Sequence, residues 1–200
     1  IFISFQVLGG GPENSIFSVL LIYAHSIYLY EEKDKIHGFV KKSLAILVLV
    51  GMALALSAVQ WLPTFAFLKE IARGSGLNYA TSTHWSLNPN TLLDLLLPEN
   101  YMRFLESTDR EMDYFIHSFY MGGVPMFILF GCLLVLRGDK SIRFWLVVFG
   151  MGVFFALGKY NPFYSFFHEW IPIFDIFRYP QKFFFLCAFA LVFLSGLALD

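Results

Sequence analysis

Three cations and a carboxylate crowd one stretch of this 200-residue chain: Lys159, Asp175, Arg178 and Lys182 all fall within GKYNPFYSFFHEWIPIFDIFRYPQKFFF. Arg178 and Lys182 flank Pro180, a residue type favoured at the first position of a helix. A helix N-terminus offers unpaired N–H groups and a partial positive charge. Backbone donors, one forked guanidinium and one ammonium together suit a phosphate group. Lys159 is a third candidate cation, and Asp175 is a candidate to orient Arg178. The competing reading is that Arg178 and Lys182 only extend toward lipid headgroups as snorkelling side chains.

Two further carboxylates are candidates for a supporting role. Glu13 lies in the Gly-rich turn GGPEN, where it either contacts a ligand or stabilises the turn. Asp94 interrupts the apolar run TLLDLLLP, where an ionised carboxylate is costly without a partner. The favoured expectation is that Asp94 faces water on an interfacial helix. The acidic run ESTDREMD reads as a solvated loop. No metal site is expected, because the five histidines lack the spacing of zinc ligands. Neither a G-x-x-x-x-G-K nor a G-x-G-x-x-G phosphate loop is present. A net charge of −1 argues against nucleic acid as a partner.

The elements that must position these residues are strongly apolar. The chain is 58% hydrophobic and only 14% charged, with 25 Phe, where soluble domains average nearer 45–50% apolar and about 25% charged. A bilayer core needs roughly 17–25 apolar residues per helix. Five windows meet or approach this, at 12–30, 43–62, 115–136, 141–158 and 180–199, and 1–8 reads as the tail of a preceding span. The expectation is therefore an all-α polytopic bundle, a section of one longer membrane domain. Cys132 and Cys187 lie inside apolar windows and read as buried thiols.

Charge then orients the expected spans. The short loops 31–42 and 137–143 hold seven basic residues against four acidic ones, half of the 14 Lys and Arg in the chain. Lys/Arg density in short loops marks the cytoplasmic side, so the long connections 63–119 and 159–182 are expected outside. Within the first of these, 64–73 and 89–97 read as short interfacial helices, the second capped by Asn88 and opened by Pro89. In the second, Asn161-Pro162 signals a helix start. Phe163, Phe166, Phe167 and Trp170 then recur at helical spacing, an aromatic stripe suited to headgroup depth.

Taken together, GKYNPFYSFFHEWIPIFDIFRYPQKFFFL, QWLPTFAFLKEIARGSGLNYA, WSLNPNTLLDLLLPENY and FYMGGVPMFILFG resemble the bacterial YfhO-like membrane proteins. The resemblance covers nearly the whole chain, although Gly11 stands in GGPEN where that family usually has His. The family is similar to GT-C glycosyltransferases. It implies transfer of a sugar from a polyprenyl-phosphate donor to a cell-envelope acceptor such as lipoteichoic acid, at the outer face of the bacterial cell membrane. It also implies Arg178, Lys182 and Lys159 as donor-phosphate contacts, with the catalytic base in a first outer loop upstream of Ile1. No catalytic residue is assigned within this chain, and no cofactor beyond the donor substrate is implied.

Two other classes fit the same features: a transporter or flippase of lipid-linked glycans, and a non-catalytic subunit of an envelope complex. A flippase lines its path with ionisable groups inside its spans. None of the 29 Asp, Glu, Lys and Arg residues lies well within an apolar window, which favours chemistry at one face.

Overall fold

The computed structural model describes residues 1–10, 12–29, 35–67, 78–97, 119–136, 138–171 and 179–199. Every regular element among them is helical, as the all-α reading requires. The chain divides into two compact units, Ile1–Ser75 and Gly76–Asp200.

The first unit holds α1 (Phe2–Leu8), α2 (Pro12–Tyr28), α3 (Lys35–Leu56) and α4 (Ala58–Phe67). Helix α1 packs on α2 and α3, and α2 packs on α3. Gly10, at φ 79°, makes the turn out of α1, and Pro12 opens α2. Polar side chains are buried on α1 and α2: Ser4, Ser15 and Ser18 are inside, and Gln6 Nε2 donates to Ser18 Oγ at 3.1 Å. In an apolar pair of helices such hydrogen bonds act as glue. At the far end of α2, Lys42 Nζ donates to the carbonyl of Ser26 at 2.5 Å, placing a cation where the helix dipole is negative.

The expected boundary after Leu62 is corrected. The helix breaks instead at Ser57, whose Oγ donates back to the Ala53 carbonyl at 2.7 Å, a bond that bends helices. Helix α4 then runs through Pro63. Pro63 has no N–H to give the Val59 carbonyl one turn back, and the adjacent Thr64 Oγ1 donates to the Gln60 carbonyl at 2.8 Å.

The second unit begins with α5 (Tyr79–Ser82) and a 3-10 helix at Pro89–Leu95. It continues with α6 (Gly123–Gly131), which passes into a π turn at Cys132–Leu136, and α7 (Lys140–Ala156). A 3-10 turn at Gly158–Tyr160, α8 (Tyr164–Trp170), a second 3-10 turn at Pro180–Phe183 and α9 (Phe184–Leu199) complete it. Asp139 caps α7, its Oδ1 accepting the N–H groups of Ser141 and Ile142 at 2.7 and 3.0 Å.

The core of this unit is the α7–α9 pair, with α6 also packed on α9. Ala156, Cys187, Ala190 and Leu194 are fully buried, and the rings of Trp145 and Phe193 stack 4.2 Å apart. Gly152 lets the two backbones approach: a Cβ there would lie 2.6 Å from Cys187 Sγ and 3.1 Å from its backbone nitrogen. Cys132 and Cys187 are both buried free thiols, as their apolar surroundings predict.

Among the described residues two helices are long and apolar enough to cross a membrane, Gly38–Leu56 and Pro180–Leu199, with mean hydropathy 2.1 and 2.2. The first presents Leu44, Leu47 and Met52 at 59%, 68% and 63% exposure. A soluble core helix would bury such residues. At 17 residues each, α2 and α7 are at the short end of the spanning range.

Candidate functional site

Within the second unit, two segments distant in sequence, 156–159 and 179–181, are tied together by a strap at residues 82–87. On one side, the Leu87 N–H donates to the Ala156 carbonyl at 2.8 Å and the Lys159 N–H donates to Ser86 Oγ at 3.0 Å. On the other, the Tyr179 N–H donates to the Ser82 carbonyl at 3.0 Å and the Gln181 N–H donates to the Trp85 carbonyl at 3.3 Å. Ser86 Oγ also donates to the Thr83 carbonyl at 2.7 Å, so this one hydroxyl serves as donor and acceptor.

Gly158 closes the knot. Its φ is +47°, and a Cβ there would collide with Ser86 Oγ and lie 2.6 Å from Pro180 Cγ. A side chain is excluded both by the left-handed backbone and by the lack of room. The knot joins the start of the Gly158–Tyr160 turn directly to the start of the Pro180–Phe183 turn.

Local capping explains why each segment has its shape. Asn78 Oδ1 accepts the Thr81 N–H at 2.8 Å at the start of α5. Asn88 Oδ1 accepts the Asn90 N–H at 3.0 Å ahead of Pro89, as the Asn-Pro signal predicts. Asn161 is buried and double-bonded: Oδ1 accepts the Phe163 N–H at 3.0 Å and Nδ2 donates to the Phe154 carbonyl at 2.9 Å. It forms an Asx turn, and α8 itself begins three residues later, at Tyr164.

Of the candidate phosphate ligands, Lys159 and Lys182 fall on the two segments that the knot joins. Lys159 follows Gly158 and is exposed; Lys182 lies two residues past Pro180 and is half-buried. The Lys159 ammonium lies 5.2 Å from the Tyr160 ring centroid, and that of Lys182 lies 5.7 Å from the Tyr179 centroid. Pro180 opens the helix as expected, although its first turn is 3-10 rather than α. Arg178 and Asp175 lie outside the described residues. Glu13 belongs to the first unit, half-buried in the first turn of α2.

The expectation for Asp94 is corrected: it is buried, at 6% exposure. Its segment winds as a 3-10 helix with about three residues per turn, which turns Asp94 inward together with Leu95. Leu93, Leu96 and Leu97 are left exposed instead.

Of the aromatic stripe, Phe163 just ahead of α8 and Phe166 and Trp170 on it are exposed, at 62%, 55% and 72%, while Phe167 is half-buried against Phe154 and Phe155. The opposite face buries Tyr164 and His168, an i, i+4 pair, against Tyr79 of α5. The His168 ring meets Tyr79 edge-on at 5.5 Å, and the Tyr164 and Tyr79 centroids are 6.5 Å apart. Burial, with Tyr79 beside it, raises the Tyr164 phenol above its ordinary range.

Sequence reasoning overlooked Trp85, Ser86, Gly158 and Tyr179 as members of this site. The signal available was weak: a Gly directly before Lys159, and a Ser beside a Trp. Among the described residues no group of three or more His, Cys, Asp or Glu is arranged to hold a metal ion. No family model, curated protein or solved structure matches this chain.

Proposed function

We propose that this chain is part of a polytopic bacterial membrane protein of the GT-C glycosyltransferase kind. On this reading it moves a sugar from a polyprenyl-phosphate donor to an envelope glycopolymer acceptor at the outer membrane face. The observation that carries the reading is the knot of Ser86, Gly158 and Pro180. It draws the backbones of Lys159 and Lys182 onto adjoining segments beside an apolar helix of spanning length, Pro180–Leu199. Arg178 adds a forked donor two residues before Pro180 in sequence. Cations at the head of a membrane helix suit a lipid phosphate, whose charge stays in the headgroup layer while its chain enters the bilayer.

In this role the chain supplies cationic stabilisation of the leaving phosphate, and the acceptor's base comes from elsewhere in the protein. The exposed rings of Phe163, Phe166 and Trp170 hold α8 at headgroup depth. A lipid-glycan flippase is disfavoured because α9 carries no Asp, Glu, Lys, Arg or His along its length, Phe184 to Leu199.

The test is sugar transfer by the full-length protein at matched expression. Charge-assisted hydrogen bonds contribute about 1.5–3 kcal/mol each. Arg178→Ala is therefore expected to lower transfer roughly 10- to 100-fold, at about 1.4 kcal/mol per decade. Arg178→Lys should recover part of that loss, because it keeps the charge and loses the fork. Unchanged transfer in Arg178→Ala removes the residue from the site.

A further inference from the structure

Among the described residues Tyr179 is the one non-glycine with positive φ, at φ 69° and ψ 89°. A bulky side chain is a true outlier in that region, and the following Pro180 narrows the choices of its backbone further. The surroundings hold it there. Its N–H donates to the Ser82 carbonyl at 3.0 Å, and its carbonyl accepts the Lys182 N–H at 3.0 Å. Its ring lies against Trp85 with centroids 3.9 Å apart and planes 36° from parallel. The Lys182 ammonium lies 5.7 Å from the same ring, within the range of a cation–π contact. Strained residues of this kind persist where neighbouring contacts over-determine them, and they gather at functional sites.

We propose that Tyr179 is a positioning residue for the anion site: its left-handed backbone delivers a Trp85-backed ring that holds the Lys182 ammonium at the head of the Pro180–Leu199 helix. The proposal rests on the anion-site reading above. A lysine stem has four rotatable carbons and no directional fork, so by itself it would not hold its charge at one point. The ring face supplies the missing constraint, and the Trp85 stack fixes the ring. The segment tolerates the strained backbone because a different conformation at Tyr179 would turn the ring away from both partners.

The experiment uses the full-length protein in detergent, with farnesyl phosphate as the probe and lysines carrying 13C-methyl labels. The Lys182 signal, assigned by its loss in Lys182→Arg, is expected to show a ring-current shift in the wild type. Tyr179→Phe should keep that shift, and Tyr179→Leu and Tyr179→Gly should abolish it. Affinity for farnesyl phosphate should fall about three- to ten-fold in Tyr179→Leu and Tyr179→Gly and stay at the wild-type value in Tyr179→Phe. Tyr179→Gly should melt no lower than Tyr179→Leu, because glycine adopts the left-handed backbone without strain. A weakening in Lys182→Ala that Tyr179→Leu does not share overturns the positioning role alone. Unchanged affinity in Lys182→Ala overturns the anion-site reading, and the proposal with it.

Discussion

Ser86 Oγ accepts the backbone N–H of Lys159 at 3.0 Å, across a separation of 73 residues. This single bond fastens the strap to the start of the Gly158–Tyr160 turn. It also leaves no space at Gly158 for a side chain.

Gly158→Ala should therefore destabilise the protein by about 2–4 kcal/mol, the sum of a left-handed backbone cost and overpacking. Ser86→Ala should cost about 1–3 kcal/mol by stranding the Lys159 N–H. Combining them should cost less than the sum, because removing the hydroxyl makes room for part of the new methyl. Denaturation of the three variants in detergent checks this. Strict additivity would mean that the two residues do not share the contact.

Gly152 is a second close approach, between α7 and α9. Gly152→Val is expected to push the helices apart and cost about 1–3 kcal/mol through overpacking, since a Cβ at this position already lies 2.6 Å from Cys187 Sγ. Cys187→Ala should restore part of that loss, because the sulfur is the nearest obstacle. Thermal melting of the single and double variants reads the effect, and a Gly152→Val protein as stable as the wild type would contradict this packing.

How far the sequence reaches is visible in particular residues. Asn88-Pro89 and Pro180 mark their helix starts through short-range chemistry, capping and a fixed φ, and both lie where the residues predict. The aromatic stripe of α8 follows from spacing alone. The break at Ser57 was not legible, because it depends on which of two acceptable positions, a back-bonding serine or a proline, interrupts the helix. The burial of Asp94 was not legible either, since it turns on 3-10 rather than α winding. The Ser86–Gly158–Pro180 knot joins positions 72 and 22 residues apart, and no local pattern carries such a pairing.

Tyr164 predicts an alkaline weakness. Burial raises its phenol above the unfolded value of about 10, so the folded state holds this proton more tightly than the unfolded chain does. The contribution is fully present below about pH 10 and is lost as pH rises through the higher folded value. Stability should therefore fall above about pH 10. Tyr164→Phe should flatten that fall while leaving the neutral-pH profile parallel to the wild type. Equal alkaline slopes in both proteins would contradict the assignment.

The orientation of the chain is open to labelling in intact cells. Single cysteines replacing Lys41 and Asp139, exposed residues of the basic loops, are expected to resist an impermeant thiol reagent. Cysteines replacing His84 and Glu169, exposed on the opposite connections, are expected to react. The reverse pattern would move the candidate site to the cytoplasmic face and contradict the proposed orientation.

Lys182, Lys159 and Arg178 are proposed to form a site for a lipid phosphate, and ligand affinity reads that site. The full-length protein in detergent is titrated with farnesyl phosphate and, separately, with farnesol, which has the same chain and no charge. The phosphate is expected to bind at least about ten-fold more tightly, a single charge-assisted contact being worth that much. Arg178→Ala and Lys182→Ala together are expected to erase the difference while leaving farnesol affinity unchanged. Equal affinity for the two ligands in the wild type, or a phosphate preference that survives the double substitution, would contradict the proposed site.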